Sequence, residues 1–265
     1  MNLNSSPGNL LKIDALSVCF GGLVALNAFA LEMAHGSLLG LIGPNGAGKT
    51  TVFNLITGVY RASGGSIALE GADILRHSPQ QRARLGIART FQNIRLFTGL
   101  SVFDNLMAAV AHERTTGSFA SILGLPAERR KEEAYRKRVA ELLEFVGLSH
   151  VAHHEATSLP YGDQRKLEIA RALMRAPKLL LLDEPAAGMN PTEKDALGTL
   201  VKGIAASGIG ILLIEHDMKF VMNLCQTITV LDHGEIIARG SPAAVQKNPQ
   251  VIEAYLGVGH AEVNT

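Results

Sequence analysis

The chain has 265 residues, 47% of them hydrophobic and 18% charged, enough for one or two globular domains with a real core. Its 25 Lys+Arg against 24 Asp+Glu leave a net charge of +1, which argues against a nucleic-acid binder working through a broad basic face. Cys19 and Cys225 lie far apart without metal-type spacing and fit a reducing, cytosolic compartment, while no apolar run nears the ~20 residues that span a bilayer. The opening MNLNSSPG lacks the basic-then-apolar pattern of a secretory signal.

In chain order, the first clear element is the apolar run Leu38–Ile42, read as a buried strand, followed across a glycine-rich loop by a helical run over 51–57. Between about Asn93 and Leu159 the strand signal vanishes. Residues 101–112 and 127–146 carry helical periodicity there, with Tyr135, Val139, Leu142, Leu143 and Val146 on one face, so this stretch reads as a helical insertion. Its charge run, residues 128–138, is a solvated face, with Glu132/Arg136 and Glu133/Lys137 at i,i+4. Two further buried strands follow at 179–182 and Gly210–Ile214, and 227–239 reads as a hairpin turning at Asp232-His233-Gly234-Glu235. The wiring is α/β with some antiparallel strands, and only the ends, 1–8 and about 257–265, look flexible.

The sharpest motif is Gly43-Pro44-Asn45-Gly46-Ala47-Gly48-Lys49-Thr50, which fits G-x-x-x-x-G-K-[ST] between a strand and a helix. Small residues let successive N–H groups wrap phosphate oxygens at a helix N-terminus, and Lys49 reaches the β and γ oxygens of a nucleotide. Thr51 continues this binding set, and the Thr50 hydroxyl suits Mg²⁺. The strand at 179–182 delivers Asp183 and Glu184 at its carboxyl end, where open α/β sheets bind ligands. Asp183 would hold Mg²⁺ through water and Glu184 would orient and deprotonate the attacking water. Other features carry less. His150, His153, His154 and Glu155 lack the H-E-x-x-H spacing of a metal site, and Asp195 to Gly198 fits D-x-x-G without the N-K-x-D partner that reads guanine.

Over about residues 10–256 the chain resembles the ATP-binding subunits of ABC transporters. Arg89-Thr90-Phe91-Gln92 is similar to the family's Q-loop, residues 159–164 (LPYGDQ) occupy the signature position before a helix read over 165–174, and Glu215-His216-Asp217 follows a strand like the switch histidine. The departures are Pro160, Tyr161 and Asp163, which replace the serine, first glycine and glutamine of LSGGQ, and Asn190, where aspartate is common. An unequal pair of ATP sites is expected from them. The spelling SLPYGDQRKLEIARAL and the ending VIEAYLG are similar to LivG-type ATPases of bacterial branched-chain amino-acid importers.

The resemblance implies a P-loop NTPase of ABC type, with a RecA-like core, an antiparallel β subdomain and an inserted α-helical subdomain. The implied parts are 1–92 (core with its antiparallel β part), 93–160 (helical), 161–240 (signature helix and the rest of the core) and 241–265 (C-terminal helical tail). ATP and Mg²⁺ are the implied cofactors. Phe20, 23 residues before Gly43, matches the aromatic that stacks on adenine. Gly162 would cover nucleotide bound to the partner subunit, and Gln92 would link Mg²⁺ or the attacking water to the helical region. His216 would contact the γ-phosphate and position the water of Glu184. Implied partners are a second ATPase (LivF-like, or a second copy), two membrane permeases and, indirectly, a periplasmic binding protein, with no nucleic acid. The implied place is the cytoplasmic face of the bacterial inner membrane, peripherally. The competing classes are a soluble ABC-type ATPase acting on nucleic acid or ribosomes, and a phosphotransferase. The first should carry a basic face, a coiled-coil or zinc insertion, or tandem cassettes; the second would not need residues 159–173 or His216.

Overall fold

The computed structural model describes residues 9–111 and 126–260, the side chains of 126–128 and 256–260 excepted. The chain opens on a long hairpin, β1 (Asn9–Phe20) and β2 (Leu23–Ala34), closed by Gly21-Gly22, both at positive φ as a two-residue turn of this hand requires. β3 (Leu38–Ile42) then enters a second sheet and leads into α1 (Lys49–Thr57). β4 (Gly64–Leu69) and β5 (Ala72–Asp73) return to the first sheet, and α2 (Pro79–Arg84) leads to β6 (Ile87–Arg89).

The helical stretch follows as α3 (Val102–Ala108) and α4 (Pro126–Phe145), with short 3₁₀ turns at Ser149–Val151 and Ala156–Ser158. After α5 (Tyr161–Leu173) come β7 (Leu179–Asp183), α6 (Pro191–Ala206), β8 (Gly210–Ile214) and α7 (Met218–Leu224). The hairpin β9 (Thr227–Asp232) and β10 (Glu235–Gly240), then α8 (Pro242–Gln246) and α9 (Pro249–His260), complete the chain.

The first sheet is antiparallel, ordered β2-β1-β4-β5; the second is ordered β10-β9-β3-β8-β7-β6 and parallel except at β10. Its central strands are buried throughout, and alternation divides their side chains between two cores. Leu38, Ile42, Leu180, Leu182, Ile211 and Leu213 pack with the helices. Leu39, Leu41, Leu179, Leu181, Leu212 and Ile214 pack with α1 and the antiparallel sheet on the other face.

Helix boundaries differ from those read in the sequence at two informative places. The helix expected over 165–174 begins at Tyr161, because the carbonyl of Pro160, at the N-cap, accepts the N–H groups of Asp163 and Gln164 and closes a turn there. Tyr161, Gly162 and Asp163 therefore lie inside the helix and not before it. The helix expected over 101–112 ends at Ala108, where Ala109 and Val110 donate to Leu106 and Met107 in tighter i→i−3 bonds; His112 lies outside the described residues. Val139, Leu142, Leu143 and Val146 are buried as read, Tyr135 partly so, and Arg136 meets Glu132 at 2.9 Å. The histidine-rich segment braces α3, with the carbonyls of Ala152 and His154 taking the N–H groups of Phe103 and Val102. Of the ends read as flexible, 257–260 continue α9, while 1–8 and 261–265 lie outside the described residues.

Candidate nucleotide site

The loop from Gly43 to Gly48 joins the carboxyl end of β3 to α1. Gly43 has φ +151°, and a Cβ there would sit 2.0 Å from the Leu231 carbonyl oxygen, so β9 approaches too closely for any other residue. The β9–β10 turn also braces the loop: Gly234 donates to Ala47 and accepts from Asn27 of β2. Gly48 caps a nine-residue helix with no acidic residue in its first turn, leaving its N–H groups and positive dipole end open to an anion. Thr50 is exposed in that first turn, Thr51 is half-buried beside it, and Asn45 and Gly46 form an exposed rim next to the half-buried Pro44.

Lys49 is buried, its Nζ donating to the carbonyls of Gly43 and Pro44 at 2.7 and 2.8 Å. Burial lowers its pKa, and the charges of Glu184 and Asp183 oppose that shift. The ammonium is thus folded into its own loop, where the two carboxylates offset part of the effect of burial.

Parallel pairing delivers the remaining groups. Asp183 of β7 is opposite Ile214 of β8, and Glu184 donates its N–H to the Ile214 carbonyl, so the chain leaving each strand emerges beside the other. Glu184 consequently meets His216, with Oε1 2.7 Å from Nε2, while its Oε2 accepts from the Gln92 amide at 2.7 Å. Glu184 stands at φ +47°, left-handed backbone that costs a non-glycine residue on the order of 1 kcal/mol. The strain falls on the carboxylate expected to activate water, and it is held by neighbours on both oxygens.

Several supporting residues carried no assigned role in the sequence. Arg89 donates to Asp183 at 2.6 Å and to Asn54 of α1 at 2.7 Å. Glu215 is buried and accepts from the N–H groups of Ala186 (2.6 Å) and His216 (3.1 Å), tying the segment after Glu184 to the switch histidine. Burial pushes its carboxyl pKa up, against those hydrogen bonds. Tyr60 meets the exposed Phe20 edge-on, ring centroids 5.0 Å apart, so an adenine stacked on Phe20 would find a second ring at its border. The available signal for Glu215 was a charged residue directly after a wholly buried strand.

The signature residues engage their own chain. Gly162 is buried, and a Cβ on it would lie 3.0 Å from Glu193 of α6; the Tyr161 hydroxyl accepts from Arg165 at 3.1 Å; Asp163 pairs with Lys166 at 2.8 Å. Asn190 caps α6 in a reciprocal pair with Glu193. Asp195 lies within α6, so its D-x-x-G is a helical coincidence.

The ABC transporter family profile matches residues 26–187, and a profile described as branched-chain amino acid ATP-binding cassette transporter matches residues 235–261. The chain is 46% identical over 249 residues to the high-affinity branched-chain amino acid transport ATP-binding protein LivG of Salmonella typhimurium, covering 94% of this chain and 98% of that one. It is 44% identical, with the same coverage, to BraF of Pseudomonas aeruginosa, which carries the same description. Among solved structures, the ADP conformation of an ATP-binding cassette of an ABC transporter superposes with a TM-score of 0.83 at 32% identity, covering 94% of this chain and 99% of the other.

Proposed function

Because the chain belongs to the ABC transporter family of ATP-hydrolysing cassettes, we propose that it is the motor subunit of an importer for branched-chain amino acids, with leucine, isoleucine and valine as cargo. The 44–46% identity to LivG and BraF along nearly the whole chain, together with the C-terminal profile at 235–261, supports that cargo. The observation that carries the motor role is the carboxylate of Glu184, held between Gln92 and His216 at the carboxyl edge of the sheet that also bears the phosphate loop.

In this reading Lys49 and the N–H groups of residues 43–51 bind the phosphates of ATP, and Phe20 stacks on the base. Glu184 accepts a proton from the attacking water, His216 fixes the carboxylate's orientation, and Gln92 reports the occupancy of the site to the helical region. The hydroxyl of Thr50, the carboxylate of Asp183 and the side-chain oxygen of Gln92 are hard oxygen donors of the kind Mg²⁺ takes, and the Gln92 amide nitrogen, engaged with Glu184, leaves that oxygen available. Mg²⁺ bound there would neutralise phosphate charge. Gly162 and its neighbours would cover nucleotide on a partner ATPase, either LivF-like or a second copy.

Among the described residues no helix is long and apolar enough to cross a membrane. Transport therefore calls for two permease subunits, with a periplasmic binding protein feeding them and this chain peripheral on the cytoplasmic face of the inner membrane. A groove of about 390 Å³ between α3 and α5, lined by Arg95, Phe97, Ala108 and Arg171 among others, supports a permease docking place, since Phe97 is half exposed on its rim. Affinity purification in mild detergent tests the assignment. Polytopic membrane proteins and a second ATPase should co-purify, and deletion should abolish uptake of labelled leucine. Ribosomes or nucleic acid as the only partners, with uptake intact, would overturn it.

A further inference from the structure

Arg165 lies one turn into α5, and its side chain is wholly buried. Nη1 donates to the Phe91 carbonyl at 2.7 Å and to Glu168 at 2.7 Å; Nη2 donates to the Gln92 carbonyl at 2.7 Å and to the Tyr161 hydroxyl at 3.1 Å. Glu168, itself buried, faces the Phe91 N–H at 3.5 Å. One planar fork therefore straddles two successive carbonyls, and its companion carboxylate stands at the amide N–H just ahead of them. Both guanidinium–carbonyl bonds are charge-assisted and come from a fully buried donor, so the backbone at 91–92 cannot rotate without breaking them. The Gln92 side chain leaves from that fixed backbone and reaches Glu184 at 2.7 Å. A lysine could not replace the fork, since its ammonium is a single point donor on a flexible stem.

We propose that Arg165 is a positioning residue for ATP hydrolysis: from within α5 it grips the carbonyls of Phe91 and Gln92, aims the Gln92 amide at Glu184, and makes any displacement of α5 a displacement of Gln92. The signature helix and the catalytic carboxylate are then joined through Arg165 and Gln92. Tyr161, which departs from the family's glycine, becomes part of the clamp, its hydroxyl holding the fourth guanidinium hydrogen.

The inference rests on Glu184 and Gln92 acting in hydrolysis. Its test is the purified full-length chain, with steady-state ATP turnover and fluorescent-nucleotide binding measured for R165K, Q92A and the double variant. R165K should lower kcat about tenfold or more, in line with the cost of small misplacements at a reacting centre, while KM and nucleotide affinity stay near wild type. In the Q92A background R165K should add nothing. E168Q, which keeps the volume and weakens the grip, should show a smaller loss of kcat that also disappears beside Q92A, and it serves if R165K fails to fold. A normal kcat in R165K, or losses in R165K and Q92A that multiply, would overturn the clamp while leaving the roles of Gln92 and Glu184 standing. A Q92A variant with full turnover would overturn the catalytic assignment and the clamp with it.

Discussion

Arg89 at the end of β6 closes on Asp183 at the end of β7, Nη2 to Oδ2 2.6 Å, with the two side chains only 11% and 8% exposed. The guanidinium lies 5.4 Å from the ring centroids of both Phe53 and Phe91, so the pair is walled by aromatic surface. Arg89→Met would leave a buried carboxylate without its cation, and a loss of about 3–5 kcal/mol in urea unfolding is expected. Asp183→Asn in the same chain should recover part of it, since the orphaned charge is then gone. A double variant no more stable than Arg89→Met would show that the cost lies in packing against Phe53 and Phe91 and not in the charge.

Glu184→Gln keeps the shape but loses the proton acceptor. Turnover should fall by about two to four orders of magnitude, while nucleotide affinity, read by fluorescence titration, changes little because Lys49 and the phosphate loop are untouched. Size-exclusion chromatography with ATP should show a persistent complex with the partner ATPase. Turnover near wild type would remove Glu184 from the water-activating role.

Pro160 caps α5 without offering a side-chain acceptor to the first turn. Pro160→Ser supplies one, and about 1 kcal/mol of added stability is expected, visible as a Tm rise of about 2–4 °C. The same hydroxyl restores the group missing from the signature, so turnover per assembled complex should rise as well. A higher Tm with unchanged turnover would confine Pro160 to starting the helix.

Asp217 caps α7 and its carboxyl pKa is held below the ordinary aspartate value, first by the hydrogen bond from Lys194 (2.5 Å) and then by the Phe220 N–H. A depressed folded-state pKa stabilises fully above the unfolded value of about 4. That contribution is lost as pH falls through the lower folded value. Lys194→Met should therefore flatten part of the acid-side decline in stability, with little change in its slope above pH 6. Melting curves from pH 3 to 7 check this, and parallel wild-type and variant profiles would refute it.

The long hairpin β1–β2 shows why part of the fold was hidden in the sequence. Its turn, Gly21-Gly22, was there to be read, but the pairing is interrupted by register shifts, and Ala15 and Ala28 take left-handed φ near the breaks. Each bulge reverses which face a side chain takes, so no clean period of two survives over twelve residues. Strands β3, β7 and β8 were legible because burial on both faces writes an unbroken apolar run, and β9–β10 because a polar turn with glycine separates two stretches rich in Ile, Val and Leu.

The nucleotide site divides along the same physical line. Sequence alone determined the phosphate loop, because its chemistry is local: successive backbone amides, a helix start and one lysine lie within eight residues. It also named Asp183 and Glu184 from their place after a buried strand. Only the tertiary structure decided that Glu184 lies between Gln92 and His216, that Arg89 neutralises Asp183, and that Arg165 holds the backbone of Gln92. These partners are 92, 32, 94 and 73 residues apart along the chain. Their meeting is set by which strands pair in parallel and which helix packs against β6, and no local periodicity records that choice.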